Sequence, residues 1–574
     1  MRPNTLCLLL VATSLAAIRP VMAQENAPIV GSVDAIKEQT GLELTGAPDA
    51  AASGEMPGAL EDARTLEETA GGVRLRPELP EGTPPEVAAQ ATGNTPVSGL
   101  AEALRLAYWT SPSLLSQRAL LRSVDYRVPQ ARAAFGPSIT YQADYSYQRT
   151  QADQLFGTDL INRGWSSTAQ AILTQPLLTF GRNAAQEDVA QAQVGFQRQA
   201  LRSAEQQAML DAIGAYVGVL RDRASVTIAM DNLATLESEL SDNRARLAVR
   251  EVTSTDVQQV ETRVELGRAQ VYIAQRDAAT SEATFVRMVG VPPGQLAAPN
   301  PLQLPVDTLE DAYVYSLAHN PIVLAAQARE QVSRASLAAA KAELLPRVDF
   351  QSTAGYGSRT PYTDRLRQTD FRGRFVVTGP LFRSGLLRAR ISEAAAANDS
   401  DWRLLDASVR ESRATLALSW NDWKAQIASI DRFGAAVDSA RKAYDGALLQ
   451  ERAGLRTTLD VLDLARELLL ARGNYNNAIA SAYIAQARVM AVAGALEQSW
   501  LLPDDDRYDP LKHFRKVRRH GDIPLLTPLM RVLDGMPLTQ TSGTRAVRDP
   551  GAVRTTAPVK LMQIKPASEP AKAP

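Results

Sequence analysis

Residues 138–148 have the sequence SITYQADYSYQ, which alternates between two kinds of side chain. The apolar and aromatic positions are Ile139, Tyr141, Ala143, Tyr145 and Tyr147, and each lies between polar residues. Because successive side chains of a β-strand point to opposite faces, this period of two predicts a strand with one apolar and one polar face.

The same kind of strand recurs because the chain is internally duplicated. Leu100 to Pro137 matches Leu309 to Pro346 at a constant offset of 209 residues. Further along, Pro176-Leu177 matches Pro380-Leu381 at an offset of 204. A single gap, located between about 150 and 165 where glycine and asparagine indicate a loop, explains the difference. The chain therefore contains two copies of one structural unit.

Each copy is predicted to run in the order helix, strand, loop, strand, very long helix, turn, helix. The predicted strands lie at about 138–150 and 165–175 in the first copy and at about 347–357 and 371–379 in the second. Helical tips, where the chain reverses, are predicted at about 249–254 and 453–457. The first copy is assigned to 100–308 and the second to 309–496.

The long helices are too long for a globular core. No proline occurs from Gly181 to Val249 or from Gly385 to Gln450, and at about 1.5 Å per residue each helix would extend roughly 100 Å. Apolar residues of the second helix, such as Leu405, Val409 and Leu416, are separated by three, four or seven positions, which is typical of coiled coils. This pattern leaves a spectrin-like rod open as an alternative.

Composition excludes several functions. The chain has 62 Lys plus Arg and 63 Asp plus Glu, so it lacks the basic excess of a nucleic-acid-binding protein. Three histidines and one cysteine provide no ligand cluster for a metal site. We find no catalytic motif, and we expect neither enzymatic activity nor a cofactor.

The segments outside the two copies have distinct compositions. Residues 1–23 are predicted to be a cleaved signal peptide, with Arg2, an apolar run and a small-residue cleavage pattern. Residues 24–99 form an acidic extension rich in Pro, Gly and Ala, with thirteen acidic and four basic side chains. Residues 497–574 form a Pro-rich tail with a basic stretch at 512–520. Both segments are predicted to be largely disordered.

The strands predict a membrane location. No stretch of about 18 uncharged apolar residues follows the signal peptide, whereas alternating strands of about ten residues are typical of outer-membrane barrels. Four strands cannot close a barrel, so several chains must combine theirs. Two chains give eight strands and three give twelve, and only twelve leave a lumen. A soluble four-stranded sandwich remains the alternative.

Two short sequences carry a resemblance to a known family. The tips read VTSTDVQ at 252–258 and AGLRTTLDVLD at 453–463. Together with the duplication and the Pro-Leu pairs at the strand-to-helix joins, they resemble the TolC family of outer-membrane efflux and type I secretion channels. The resemblance covers about residues 100 to 496.

The resemblance implies a mixed α/β membrane protein built as a homotrimer. Its twelve-stranded β-barrel, with four strands per chain in outer-membrane lipid, would continue into a long α-helical coiled-coil barrel in the periplasm. The implied partners are a periplasmic adaptor (membrane fusion) protein and an inner-membrane ABC or RND-type transporter. The implied function is a passive exit duct for protein secretion or small-molecule efflux. A structural or adhesive coiled-coil rod is the competing function.

Gate residues are predicted at the tips. Asp460 and Asp463 are three positions apart and share one helical face, so a trimer would stack two carboxylate rings that favour cations. A solvated helix face is the alternative for this spacing. The resemblance further implies that Arg456 bonds the neighbouring helix pair through Asp256 and Thr255.

The tips also carry a predicted adaptor contact and two departures from the family pattern. The predicted contact residues are Val252, Gly454 and Leu455. Arg250 occupies the first-copy position that corresponds to the turn glycine Gly454. Glu451 stands where the family would have a gate tyrosine, which puts an aromatic latch in doubt.

Overall fold

The computed structural model describes residues 83–152, 160–497, 501, 507–524 and 526–534. The predicted signal peptide, residues 24–82 of the predicted extension and the tail beyond 534 lie outside the described residues.

The two copies have the same order of elements. The first copy with its N-terminal helix contains α1 (Pro85–Gly93), α2 (Leu100–Thr110), α3 (Pro112–Asp125), α4 (Arg127–Ala133), β1 (Ser138–Ala152), β2 (Leu160–Leu178), α5 (Arg182–Ala248) and α6 (Ser254–Val289). The second copy with the described part of the tail contains α7 (Leu309–His319), α8 (Pro321–Ala342), β3 (Arg347–Thr360), β4 (Thr363–Thr378), α9 (Leu386–Arg452), α10 (Thr458–Ala493), α11 (Pro510–Val517) and α12 (Leu526–Asp534).

The four strands form one antiparallel sheet in the order β1-β2-β3-β4. They contain 15, 19, 14 and 16 residues and are longer than the predicted ten. The difference arises because backbone pairing continues past the alternating sequence toward each hairpin loop, as far as Thr360 opposite Thr363 in the second hairpin. The outer strands β1 and β4 each pair on one side only within the described part of the chain.

One face of the sheet is apolar across all four strands. Residues that are directly paired in an antiparallel sheet project from the same face. Tyr141, Ala171, Ala354 and Phe371 form one such row, and Tyr141 and Phe371 are 89% and 75% exposed. The adjacent row, on the other face, consists of Gln142, Gln170, Gly355 and Asp370. In these rows, the alternation read from single strands therefore continues across all four strands.

The long helices begin at sharp bends. Gly181 and Gly385 precede α5 and α9 with φ angles of +84° and +81°, which glycine adopts without steric cost. Each helix then runs for 67 residues, or about 100 Å. The helix α5 packs along α6, and α9 packs along α10, while α8 lies between α5 and α9.

The largest hydrophobic core lies where α2, α5, α6 and α10 meet. Trp109, Tyr216, Phe285 and Met490 are all at most 1% exposed there. The segment before α2 joins this region, since Val87 and Val97 are buried in the same core and the hydroxyl of Tyr216 donates to the carbonyl of Ser98 at 3.3 Å. The disorder predicted for residues 24–99 is therefore wrong for residues 83–99.

The tail is also ordered in part, and we call its described residues 507–524 and 526–534 the strap. His513 Nδ1 lies 2.8 Å from Oδ2 of the buried Asp125. At the far end, Oδ1 of the buried Asp534 accepts bonds from the Thr179 amide at 2.7 Å and the Thr179 hydroxyl at 2.6 Å. The disorder predicted for this part of 497–574 is wrong, because its polar residues bind partners more than 300 residues away.

Within the described residues, no helix combines the length and apolarity needed to cross a membrane.

The bond from Asp534 to Thr179 predicts a measurable stability effect. Asp534→Ala would leave the buried Thr179 amide without its partner, at a cost of about 1 to 3 kcal/mol. We expect faster amide hydrogen exchange at Thr179 and through α12 in the solubilised full chain. Asp445→Ala serves as the control, because Asp445 is exposed and lies 3.9 Å from Arg441. Equal exchange rates in the two variants would refute the anchoring role of Asp534.

Candidate functional site

Each copy ends its long helix in a short reversal that a threonine and an aspartate stabilise. The Thr253 hydroxyl accepts from the Asp256 amide at 3.2 Å, and Asp256 Oδ2 accepts from the Thr253 amide at 2.9 Å. Thr457 and Asp460 repeat the arrangement at 3.3 and 3.4 Å. These reciprocal bonds satisfy amides that the first turn of a helix leaves free. The sequence Thr-x-x-Asp therefore starts both α6 and α10.

The predicted gate carboxylates thus have local partners in the chain. The backbone and side-chain bonds from Thr253 hold the pKa of Asp256 below its usual range. Asp460 is exposed and caps α10. Asp463 is exposed as well, and its Oδ1 accepts from Arg263 Nη2 on α6 at 3.2 Å. Two of the three predicted carboxylates are helix caps, and the third forms a salt bridge.

The remaining predicted residues lie at the surface of the tip. Arg456 and Thr255 are exposed, and Arg456 forms no salt bridge with any residue that the structure describes. The predicted link from Arg456 to Asp256 stays a prediction. Leu455 is 77% exposed, whereas Val252 is half-buried against the hydrophobic cluster of the tip. Gly454 has a φ of +73° in the turn.

A partly buried ion pair that the sequence did not predict joins the two copies at the tip. The guanidinium of Arg246 on α5 donates to the carboxylate of Glu451 on α9. The Glu451 side chain is only 5% exposed. The bond to Glu451 raises the pKa of Arg246 further above its ordinary value. The departure from the family tyrosine at position 451 was the one sequence signal that pointed to this residue.

Two further polar contacts surround this ion pair. The Thr458 hydroxyl on α10 lies 3.3 Å from both Glu451 Oε1 and Asn243 Oδ1. Glu239, one turn before Asn243, has its pKa raised by burial and then by the charge of Glu451. The positive charges of Arg452 and Arg246 both offset the charge of Glu239, and Nε of Arg246 also lies 3.4 Å from the carboxylate of Glu251.

Hydrophobic packing reinforces the polar links between the copies. Leu462 of α10 is buried against Val257, Val260 and Val264 of α6. Polar contacts also join the helices in pairs: Asn243 and Thr458 join α5 to α10, Arg246 and Glu451 join α5 to α9, and Arg263 and Asp463 join α6 to α10. The tip is therefore a four-helix cluster in which the two hairpins pack against each other.

The geometry suits a mechanical element more than a reactive centre. The described residues contain no group of three or more His, Cys, Asp or Glu side chains that could hold a metal ion. The charged side chains of Asp256, Asp460, Asp463, Arg246 and Glu451 pair with other residues or cap helices, as described above. What the arrangement can do is hold two helical hairpins together through bonds that a competing partner could replace.

Comparisons with known proteins agree with this architecture. The family model described as "Outer membrane efflux protein" matches residues 103–291 and 312–495, one match in each copy. The outer membrane efflux protein BepC of Brucella suis is 27% identical over 419 residues, which cover 73% of this chain and 90% of BepC. The alkaline protease secretion protein AprF of Pseudomonas aeruginosa is 27% identical over 388 residues, covering 64% and 78% of the two chains.

A solved structure shares the fold. The outer membrane protein VceC of Vibrio cholerae superposes with a TM-score of 0.59 at 18% identity, over 69% of this chain and 96% of VceC. The resemblance read from the tip sequences and the duplication is confirmed by the family match. The chain belongs to the outer membrane efflux protein family, and it is a protein of the outer membrane whose helical part lies in the periplasm.

Proposed function

We propose that three copies of this chain form a closed channel that is a passive exit duct for protein secretion or small-molecule efflux, gated at the periplasmic tip. The observation that carries the proposal is the four-stranded sheet, which has exposed aromatic rows on one face and, among the residues that the structure describes, two edge strands without a second partner. Lipid offers no hydrogen-bond partner to backbone groups, so an edge strand in a bilayer must pair with another strand.

The number of chains follows from the size of the barrel. Eight strands enclose a space filled by side chains, whereas twelve leave room for a lumen. In a ring of three chains, β4 of each subunit would pair with β1 of the next and remove every edge. The face that carries Gln142, Asp144, Asp370 and Arg372 would line water, and the face that carries Tyr141 and Phe371 would meet lipid.

A coiled-coil rod accounts for less of the molecule. Long helices that pack in pairs are common to rods and tunnels. A rod, however, has no use for a sheet whose apolar face exposes Ile139, Tyr141 and Phe375 at more than 70%. Exposed apolar area of that extent indicates a membrane or a partner.

The relatives support both kinds of cargo. One is named for efflux and another for the secretion of alkaline protease, so the proposal includes both. We propose a periplasmic adaptor and an inner-membrane ABC or RND-type transporter as partners. The exposed Leu455 with its neighbour Gly454 supports an adaptor contact at the tip, and the half-buried Val252 would contribute only its free edge.

The proposed gate combines links within a chain with links between chains. The pair Arg246–Glu451 holds the two hairpins of one chain together, and the free Arg456 is available to reach Asp256 or Thr255 across a neighbouring hairpin. Asp460 and Asp463 would form two carboxylate rings around the axis, with the charge at Asp463 partly offset by Arg263. Opening would separate the hairpins once an adaptor replaces these bonds.

The trimer is tested by mass and by location. We expect the processed protein in detergent to have about three times the mass of one chain, as measured by light scattering, and to fractionate with the outer membrane. Cells that express only a signal-peptide deletion provide the control for fractionation. A water-soluble monomer would refute the channel.

The inter-copy ion pair predicts a change in gating. Glu451→Gln removes the charge that Arg246 pairs with, and because Arg246 is 29% exposed and keeps Glu251 at 3.4 Å, we expect the loss of this charged hydrogen bond to cost about 1.5 to 3 kcal/mol. We expect a higher single-channel conductance in planar bilayers because the tip would stay open. The matched control is Glu261→Gln, which breaks the exposed pair with Arg244 inside one hairpin at about 0 to 1 kcal/mol. The proposed latch is wrong if both variants conduct like the wild type.

The proposed link from Arg456 predicts a second gating effect. Arg456→Ser and Asp256→Ala should each raise the conductance, since either change removes one partner of the link. Asp256 also caps α6, so its loss alone would be ambiguous. Thr253→Ala removes the same cap and keeps the carboxylate. The link would be eliminated if Thr253→Ala raises the conductance as much as Asp256→Ala does and Arg456→Ser does not raise it.

A further inference from the structure

The strap presents a strongly basic surface that the channel function does not use. Residues 507–534 contain seven Arg or Lys side chains and three Asp side chains. The aspartates have local roles: Asp509 accepts from the Leu511 amide at 2.8 Å, Asp522 lies 3.9 Å from Arg132, and Asp534 holds Thr179. The cations that are exposed and form no salt bridge with a described residue are Arg507, Lys512, Lys516, Arg518 and Arg519.

The basic surface lies close to the end of the sheet where the helices begin. Nη1 of Arg132 donates to the carbonyl of Arg518 at 2.6 Å, and Nε of Arg132 donates to Glu187 at 2.8 Å. Glu187 is the sixth residue of α5, so it lies about 8 Å along the helix. Arg518 and Arg519 are therefore held within a few turns of the point where β2 passes into α5.

The strap also exposes apolar side chains at the same end of the sheet. Leu529 and Val532 of α12 are 54% and 63% exposed. The same helix ends at Asp534, which binds Thr179 directly after β2. Phe375 and Val377 of β4 lie at the helix end of the apolar face and are exposed too. Apolar residues of the strap thus lie at the end of the sheet where the proposed lipid-facing surface of the strands stops.

We propose that the strap binds anionic phospholipid headgroups at the periplasmic surface of the outer membrane. Arg518 and Arg519 would bind phosphate through their guanidinium groups, and Leu529 and Val532 would enter the boundary between headgroups and acyl chains. A basic surface next to exposed apolar residues is the combination by which peripheral helices bind anionic membranes. The proposal rests on the proposed membrane-embedded barrel.

Phospholipid fits these residues better than the anionic polymer of the cell wall. A saccharide polymer could pair with these exposed cations, but it offers nothing to exposed leucine and valine side chains. A bilayer surface satisfies both groups, because its phosphates and its acyl chains lie within about 10 Å of each other. We therefore assign the strap to lipid.

The test uses a single dye on the full chain. Cys7 is the only cysteine and lies in the predicted signal peptide, so Val532→Cys gives one labelling position. The labelled protein is reconstituted in phosphatidylethanolamine vesicles with or without about a quarter of phosphatidylglycerol, each containing a spin-labelled lipid as a quencher. We expect quenching to be about twofold or more stronger with phosphatidylglycerol, since each Lys or Arg at the surface adds attraction, and to fall with added salt.

A matched pair of variants identifies the strap as the cause. Arg518→Gln/Arg519→Gln should abolish the effect of phosphatidylglycerol and keep the backbone bond to Arg132. Arg268→Gln/Arg276→Gln removes two exposed arginines from α6 and should leave the effect intact. Equal quenching with and without phosphatidylglycerol would overturn the proposal, and so would equal effects of the two variants.

Two further measurements separate the remaining outcomes. In the first, the wild type and Arg518→Gln/Arg519→Gln are each mixed with insoluble cell-wall sacculi. If the sacculi retain the wild type but not the variant, and no lipid quenching is seen, the strap binds the wall and the lipid proposal is overturned. Single-channel conductance is recorded from the same vesicles. Conductance without quenching refutes the strap proposal alone, whereas the absence of both refutes the proposed barrel on which it depends.

Discussion

The unpaired backbone of β1 and β4 is the constraint on which the rest of the structure depends. A sheet with one apolar face and two open edges is unstable in either solvent. In water its apolar face is exposed, and in lipid the backbone groups of its edges lack hydrogen-bond partners. In the proposed barrel, other chains would pair the edges and lipid would cover the apolar face. The helices that follow Gly181 and Gly385, which are both 67 residues long, would continue the wall of that barrel.

The strap packs over buried charged residues of α3 and α5. Along α3, Arg118 faces Glu205 of α5 at 3.9 Å, and Asp125, seven residues later, binds His513 of the strap at 2.8 Å. Burial raises the pKa of Glu205 to about 7, so its negative charge is costly there and the neighbouring Arg118 offsets it. Tyr508 of the strap lies over the Arg118 guanidinium at 4.8 Å. The C-terminal segment is thus part of the fold.

The sequence predicted those features that repeat along the chain and missed those that depend on distant partners. Alternation and duplication identified four strands, two long helices and both reversals, because each is encoded within a local window. The caps at Asp256 and Asp460 could have been read from Thr-x-x-Asp but were assigned to the gate. The bonds of Asp534 to Thr179 and of Glu451 to Arg246 join positions 355 and 205 residues apart, and no local pattern specifies them.

The two copies have diverged at the tip, where the proposed gate lies. Arg250 and Gly454 both adopt a left-handed backbone, with φ of +64° and +73°, so the first copy keeps the turn at the steric cost of a side chain, about 1 to 2 kcal/mol. The second copy has the unstrained turn and carries Glu451, whose buried charge needs Arg246 of the first copy. Neither hairpin is therefore complete alone, because the carboxylate of one is neutralised by the guanidinium of the other. Separating the hairpins would expose both charges to water, which lowers the cost of parting them, so in the proposed gate a partner that binds the opened surfaces would shift the tip to its open state.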